Sequence, residues 1–226
     1  MSIVLGIISK SCAIVAGDGR VTIEEISEVN GVQQKEKKVR NDDFNKTFSL
    51  LNGQIIGCCA GLMEFEGKSI GGHLEEITNQ TDYIFSIDSV CETMKNRLKA
   101  ISKDEVGFFH RKLDLVLIYK TNENPKAYEL HSVRFFPNHQ NSEIEIQKFE
   151  KVSTSKINKV WWQIYGDDSA RSAVSALLEK EINQRVKVDK NFLIALSKRL
   201  IRLGISRASE IKNLKTCGGE VFVKTI

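Results

Sequence analysis

The sequence predicts an α+β fold, specifically a four-layer αββα sandwich of two antiparallel sheets between two pairs of helices. The predicted elements run in the order strands, two helices, strands, two helices, strand, with no sequence repeat and no linker. In that order each helix pair can cover the outer face of one sheet while the sheets pack on each other. A length of 226 residues with 41% hydrophobic content suits one large domain, residues 1–226.

The first elements are two predicted hairpins separated by a charged stretch. Ile3 to Ile8 and Cys12 to Ala16 are almost continuously apolar on either side of a polar turn, which predicts a buried hairpin. The charge-rich stretch from Glu24 to Asn45 predicts a long exposed loop or a surface hairpin. An Asn-Gly turn between apolar runs predicts a second buried hairpin over Thr47 to Leu51 and Gln54 to Cys59.

Helix pairs and strands follow in the rest of the chain. Helical spacing of apolar residues predicts helices over Met63 to Gln80 and Ile87 to Lys103, the second with an N-cap at Asp88 or Ser89. The remaining predicted elements are strands over Leu113 to Lys120, Ala127 to His131, Ile144 to Phe149 and Val160 to Tyr165, helices over Ser169 to Gln184 and Lys190 to Leu203, and a last strand over Glu220 to Ile226.

Composition narrows the class of protein. No stretch reaches the roughly 18 apolar residues that a membrane-spanning helix requires, and the first residues lack the order of a secretion signal, so we expect a cytoplasmic protein. The net charge of +4 is too small to indicate a nucleic-acid partner. Five cysteines without a paired CxxC spacing are expected to be reduced thiols in the core.

A local excess of positive charge lies between Lys180 and Lys215, where ten Lys or Arg residues stand against three acids. The basic residues alternate with Leu and Ile at helical spacing. The main interpretation is the solvated face of an amphipathic helix, and a docking surface for an acidic partner is the alternative.

Four segments resemble one known family. Residues 2–22 read SIVLGIISKSCAIVAGDGRVT and resemble the opening of proteasome β subunits and of the bacterial HslV peptidase. Residues 45–61 read NKTFSLLNGQIIGCCAG and resemble the family's second hairpin. Residues 164–178, IYGDDSARSAVSALL, and residues 216–226, TCGGEVFVKTI, look like the two glycine turns and adjoining elements that close the site. The resemblance implies the N-terminal nucleophile hydrolase fold.

The resemblance also implies a catalytic site. Ser2 falls on the family's N-terminal threonine, so removal of Met1 would leave a hydroxyl nucleophile beside a free α-amine that can act as its base. Lys46 falls on the active-site lysine, Asp18 on its partner aspartate and Gly61 on the glycine of the oxyanion hole.

A pocket for the substrate residue before the cleaved bond is implied at Val21 and Cys59. Both side chains are small and apolar, which favours an uncharged side chain in the substrate. The four histidines show no metal spacing, and no phosphate-binding loop, zinc cluster or dinucleotide fingerprint occurs, so a hydrolase without a cofactor is expected.

The sequence departs from the family pattern at four places. Serine replaces threonine at position 2, and the stretch before Lys46 is about a dozen residues longer. Asp167 stands where the turn commonly has a serine, and a carboxylate there would stabilise the ammonium form of the amine, although Asp167 or Asp168 could replace a missing acid. Proteasome β subunits carry a DxxS pattern before the last strand, and Leu214 and Cys217 stand here in place of its aspartate and serine.

These features leave three functions open. The first is an endopeptidase that acts by acyl transfer from Ser2 on unfolded polypeptides, within a ring of identical subunits served by an ATP-dependent unfoldase. The second is a small-amide hydrolase that uses the same site. The third is a ring or scaffold subunit that retains the fold without the activity. We expect neither a nucleic-acid nor a membrane partner.

Overall fold

The computed structural model describes residues 2–29, 32–80, 86–102, 112–121, 127–138, 143–157, 159–212 and 217–226. In chain order the elements are β1 (Ile3–Ser9), β2 (Ala13–Asp18), β3 (Val21–Val29), β4 (Val32–Asn41), β5 (Thr47–Leu50), β6 (Ile55–Gly61), β7 (Glu64–Phe65), β8 (Lys68–Ser69), α1 (Ile70–Gln80), α2 (Ile87–Ser102), β9 (Leu113–Lys120), β10 (Tyr128–Asn138), β11 (Glu143–Ser153), β12 (Val160–Gly166), α3 (Asp168–Asn183), α4 (Lys190–Lys212) and β13 (Val221–Thr225). The predicted α+β class is confirmed.

Two antiparallel sheets contain most of the strands. The four-stranded sheet has the order β12-β1-β2-β13, and the five-stranded sheet has the order β11-β10-β9-β6-β5. Strands β1 and β2 are buried along their whole length, because each lies inside its sheet with apolar layers on both faces. This explains why both read as continuous apolar runs rather than as an alternation of apolar and polar residues.

Three apolar clusters separate the layers. Leu115 of β9 packs in a cluster with residues of α1 and α2, while its neighbour Val116 points the other way, into a cluster between the sheets. In the other sheet, Val4 faces that same inter-sheet cluster and Leu5 packs against α3 and α4. The described elements are therefore layered as helices, sheet, sheet and helices.

The charged stretch predicted over 24–45 as a loop or a hairpin is largely a hairpin. β3 and β4 pair antiparallel from Val21 opposite Asn41 to Val29 opposite Val32, in a two-stranded sheet of their own. The interpretation as a loop is therefore wrong for most of the stretch. High charge does not distinguish a loop from a ribbon of two strands.

The first predicted helix begins too early. Residues 64–69 form the short hairpin of β7 and β8, and α1 starts only at Ile70. Glu66 and Gly67 form the turn with positive φ values of 47° and 70°, a conformation that a helix cannot contain. The predicted N-cap of α2 also shifts, because Ser86 directly precedes the helix and its hydroxyl accepts from the Ser89 N–H at 3.5 Å.

Helix α4 continues nine residues beyond its predicted end at Leu203. Gly204, the residue after that predicted end, lies inside the helix. A Cβ atom added there would lie 2.6 Å from Cδ1 of Ile3, so glycine allows α4 to approach β1 closely. The glycine therefore serves packing rather than termination.

All five cysteines are buried and none forms a disulfide bond, as the sequence predicts: Cys12, Cys58, Cys59, Cys91 and Cys217. Within the residues that the structure describes, no helix combines the length and the apolar character needed to cross a membrane. The single-domain assignment stays a prediction.

Candidate functional site

A fully buried ion pair forms the centre of the candidate site. Asp18 is the last residue of β2, and Lys46, which is 1% exposed, directly precedes β5. The Lys46 Nζ donates to Asp18 Oδ1 at 2.8 Å and to the backbone carbonyl of Arg20 at 2.6 Å. Because an isolated buried charge is costly, each of these ions depends on the other for a compensating partner. The structure therefore brings Asp18 and Lys46 into contact, as the resemblance implies.

Asp18 also ties the N-terminal strand to this pair. Its Oδ1 accepts the backbone N–H of Ile3 at 2.8 Å, and its Oδ2 accepts that of Gly218 at 3.1 Å. Ile3 directly follows Ser2. The oxygen atom of Asp18 that binds the predicted active-site lysine therefore also binds the backbone of the residue that follows the predicted nucleophile, Ser2.

Ser2 is enclosed by the junction between β12 and α3. It is 6% exposed, and Gly166 pairs with the following residue, Ile3, in the sheet. A Cβ atom added to Gly166 would lie 2.2 Å from the Ser2 carbonyl oxygen. Only glycine permits this approach, so the junction can close against the start of β1.

Asp167 lies next to Gly166 and is buried. Its backbone is extended, and its carboxylate accepts the N–H of Ser169 at 3.1 Å and the Ser169 hydroxyl, which makes it the N-cap of α3. Aspartate is a preferred residue at that position. The structure thus assigns Asp167 a capping role beside Ser2, and its substitution for a missing acid stays a prediction.

The two predicted pocket residues belong to one apolar cluster. Cys59 is 2% exposed, and Val21 is partly buried against the same cluster under α1 and α2. The Cys59 N–H donates to the carbonyl of Lys46 at 3.1 Å. Burial raises the pKa of the Cys59 thiol to about 12, although the nearby Lys46 charge acts in the opposite direction. The thiol is therefore a neutral, apolar group at neutral pH.

Gly61 ends strand β6, two residues after Cys59, and is exposed. Its φ is +89°, and a Cβ atom would lie 2.0 Å from the carbonyl oxygen of Lys112. Positive φ and this contact both require glycine.

Replacement of Gly61 by alanine is expected to destabilise the protein more than the same change at Gly53. Gly53 has a similar φ of +84° but no atom within 4 Å of the added Cβ, so it isolates the conformational cost of about 1–2 kcal/mol. Gly61→Ala adds the clash with Lys112. Urea denaturation of both variants measures the difference in unfolding free energy, and equal losses would contradict this account of Gly61.

Arg20 and Asp42 hold the carbonyl that accepts from Lys46. Arg20 Nε and Nη2 donate to the two Asp42 oxygens at 2.5 and 2.9 Å. This hydrogen bond raises the pKa of Arg20 and lowers that of Asp42. Backbone bonds join the same region, from Gly19 N to Gly218 O at 3.0 Å and from Glu220 N to Asp42 O at 3.1 Å. The end of β2, the base of the β3–β4 hairpin and the C-terminal turn are thus fixed together.

Asp42→Asn is expected to lower the free energy of unfolding at pH 7 by less than about 1 kcal/mol, because Asp42 is 43% exposed and solvent weakens the pair. The folded-state pKa of Asp42 lies below its unfolded value, so its contribution is present above about pH 4 and is lost as the pH falls through the folded pKa. The difference between wild type and variant should therefore shrink on acidification. Denaturation from pH 7 to pH 2 checks this, with Asp43→Asn as the control, and a difference that grows in acid would contradict it.

Several residues around the site were not among the sequence-predicted site residues. Gly166 and Gly218 contact the predicted residues directly, Asp42 binds Arg20, and a partly buried ion pair joins Asp114 to Arg134. The lone aspartate in the apolar run LDLVLIYK was an available signal for that pair. Cys217 is buried, and its carbonyl accepts from Arg20 Nη1 at 3.5 Å, whereas Leu214 and Met1 lie outside the described residues.

Among the seven predicted site residues, Asp18 contacts Lys46, Ser2 is joined to them through the N–H of Ile3, and Cys59 is joined through the carbonyl of Lys46. Val21 shares the apolar cluster of Cys59, whereas Gly61 and Asp167 only adjoin Cys59 and Gly166 along the chain, so the catalytic roles of these residues stay predictions. In the part of the chain that the structure describes, no group of three His, Cys, Asp or Glu side chains is arranged to hold a metal ion. No protein-family model matches the chain, and no curated protein matches it at a significant level.

Proposed function

We propose that this chain is an N-terminal nucleophile hydrolase of the proteasome β and HslV type, which cleaves peptide bonds with Ser2 after removal of Met1. The observation that carries the proposal is the shared oxygen of Asp18. That single atom accepts both the Lys46 ammonium and the N–H of the residue after Ser2. A buried lysine held next to the start of the chain is what activation of an N-terminal hydroxyl requires.

The base in this reaction is the α-amine of Ser2 itself. An α-amine has an ordinary pKa of about 7.7–8.0, so a useful fraction is unprotonated near neutral pH, whereas a serine hydroxyl is far too weak an acid to ionise alone. The positive charge of Lys46 would lower the proton affinity of that amine and favour the alkoxide. If Met1 stays, the amine is an amide and the base is lost.

The first half of the proposed reaction is acylation of Ser2. The Ser2 Oγ attacks the carbonyl carbon of the substrate while its proton passes to the α-amine, giving an ammonium group and a tetrahedral oxyanion. The Gly61 N–H would donate to that oxyanion. On collapse the C–N bond breaks, the ammonium returns its proton to the departing amine, and an ester on Ser2 remains.

Water completes the cycle by the same route. The free α-amine takes a proton from the attacking water, and a second tetrahedral intermediate forms on the ester carbon. Its collapse breaks the ester bond and returns the proton to Ser2 Oγ. The products are a carboxylic acid and an amine, and no cofactor takes part in this sequence.

The layered arrangement of helices and antiparallel sheets supports assignment to the N-terminal nucleophile hydrolase fold. From the same family we propose a ring of identical subunits, an ATP-dependent unfoldase as partner and unfolded polypeptide as substrate. Val21 and Cys59 lie in an apolar cluster, which supports an uncharged substrate side chain before the cleaved bond.

A ring or scaffold subunit without activity is the second candidate. The observation that favours it is the role of Asp167, whose carboxylate caps α3 beside Ser2 instead of supplying a hydroxyl there. An acylating peptide probe distinguishes the two candidates. Mass spectrometry of the digested adduct is expected to locate the probe on Ser2. Labelling elsewhere, or equal labelling of the Ser2→Ala variant, would contradict the proposed function.

A further inference from the structure

Strand β13 forms one edge of the four-stranded sheet. Among the described residues it pairs with β2 alone. Just beyond its end, Ala13 and Ile226 exchange both backbone hydrogen bonds, at 3.0 and 3.1 Å. Because bonded and non-bonded residue pairs alternate in an antiparallel ladder, the N–H and C=O groups of Val221 and Val223 point away from β2. An edge of this kind is a template for one further strand.

A groove lies beside the start of β13, between helix α4 and the turn that leads into the strand. Its volume of about 510 Å³ is within the range of ligand-binding sites. Ile205 and Val221 are partly buried against the apolar cluster of α3 and α4, and the other lining residues include exposed charged side chains. The residues that line the groove are Lys198, Arg202, Ile205, Gly219, Glu220 and Val221.

The groove has an excess of positive charge. Lys198 and Arg202 are exposed, and neither forms an ion pair with another residue that the structure describes. Two neighbouring arginines of α4 differ in this respect, because Arg199 and Arg207 hold glutamates at 2.8 and 2.9 Å. Glu220 is the one acid in the lining. The two cations that face the groove are therefore available to an acidic ligand.

We propose that this groove binds an extended acidic segment of a partner protein, which adds a strand to the edge of β13. The backbone of the segment would bond to the outward groups of Val221 and Val223, and its carboxylates would pair with Lys198 and Arg202. This is the docking alternative for the basic stretch between Lys180 and Lys215, confined here to one groove. The inference does not depend on the proposed peptidase activity.

The segment should carry acids at every second position. Alternate side chains of a strand point to the same face of the sheet, and Val221 and Val223 face α4. Only the residues of the added strand on that face would reach the cations of α4. A merely solvated helix face predicts a different result, because its cations would attract any acidic peptide and the amides of β13 would gain no protection from exchange.

The test uses the full chain and a fluorescein-labelled peptide of the sequence Glu-Val-Glu-Thr-Glu-Val-Glu. Fluorescence anisotropy measures its Kd, and hydrogen exchange followed by NMR measures the protection of the Val221 and Val223 amides. At a free peptide concentration about ten times Kd, exchange of both amides should slow about ten-fold. A peptide with Gln in place of each Glu, and an N-methylated peptide that cannot donate backbone hydrogen bonds, should each bind about ten-fold more weakly or worse.

Charge reversal tests the two cations. Lys198→Glu combined with Arg202→Glu should weaken binding of the acidic peptide about ten-fold or more, because attraction becomes repulsion at two points. Arg199→Glu combined with Arg207→Glu makes the same change in net charge on the same helix, and it should weaken binding less than about three-fold. All four side chains are exposed, so both double variants should fold, which circular dichroism checks.

Several results would overturn the inference. One is the absence of binding at peptide concentrations up to about 1 mM, and another is equal affinity in the two double variants. Bound peptide without slower exchange at Val221 and Val223 would show charge attraction alone. Amides that are already protected in a peptide-free protein that self-associates in sedimentation would show that a second copy occupies the edge. Loss of the proposed peptidase activity would leave all of these measurements unchanged.

Discussion

Ser2→Ala is expected to abolish peptide hydrolysis, with a fall in kcat on the order of 10⁴-fold or more. Alanine removes the oxygen that would form the proposed acyl intermediate. The α-amine is still present in this variant. The loss would therefore be assigned to the hydroxyl rather than to the base. Steady-state hydrolysis of a peptide panel with uncharged residues before the cleaved bond measures it.

The Ser2 experiment has two natural controls. Ser2→Thr keeps the hydroxyl and adds a methyl group that restricts the side-chain rotamer, so it should retain activity. Ser169→Ala removes a different serine, one that donates to Asp167, and should leave a functional nucleophile. Activity in Ser2→Ala close to the wild-type level would show that Ser2 is not the nucleophile.

Lys46→Met is expected to have the largest effect on stability, a loss of about 3–5 kcal/mol in the free energy of unfolding. The change leaves Asp18 buried with its charge uncompensated, although the N–H groups of Ile3 and Gly218 still donate to it. Peptide hydrolysis should also be lost, because the proposed mechanism needs the positive charge of Lys46 near Ser2. Chemical denaturation and the peptide assay measure the two effects separately.

A double-mutant cycle tests the cause of that loss. Asp18→Asn combined with Lys46→Met removes both charges, and it should recover about 1–3 kcal/mol relative to the sum of the two single changes. Lys68→Met breaks an ion pair with Glu76 in which both side chains are about 40% exposed, and it should cost far less than Lys46→Met. A loss for Lys46→Met no larger than for Lys68→Met would contradict the buried-pair account.

Much of the fold could be predicted because its strands are strongly patterned. The predicted bounds of β9 coincide with the observed strand, and β1 and β12 differ by one residue at their ends. Errors arose where local signals have two meanings. The charge of the β3–β4 stretch fits both a loop and a ribbon, and Gly204 fits both a helix end and a close helix–sheet contact.

The site could be predicted only in part, for a related reason. Resemblance pointed to Asp18 and Lys46, and the structure brings them into contact. The groups that hold them in place, such as the N–H of Gly218, come from segments far away in the chain. No local sequence pattern indicates such a contact. The Asp114–Arg134 pair depends on the register of two strands, which a single sequence does not specify.

The intact mass and the N-terminal sequence of the protein, expressed without an added N-terminal tag, test the central claim most directly. The account predicts a chain that begins at Ser2, with its α-amine free and the mass reduced by one methionine residue. A chain that retains Met1 would contradict the proposed mechanism, because the amine that should accept the Ser2 proton would then be an amide.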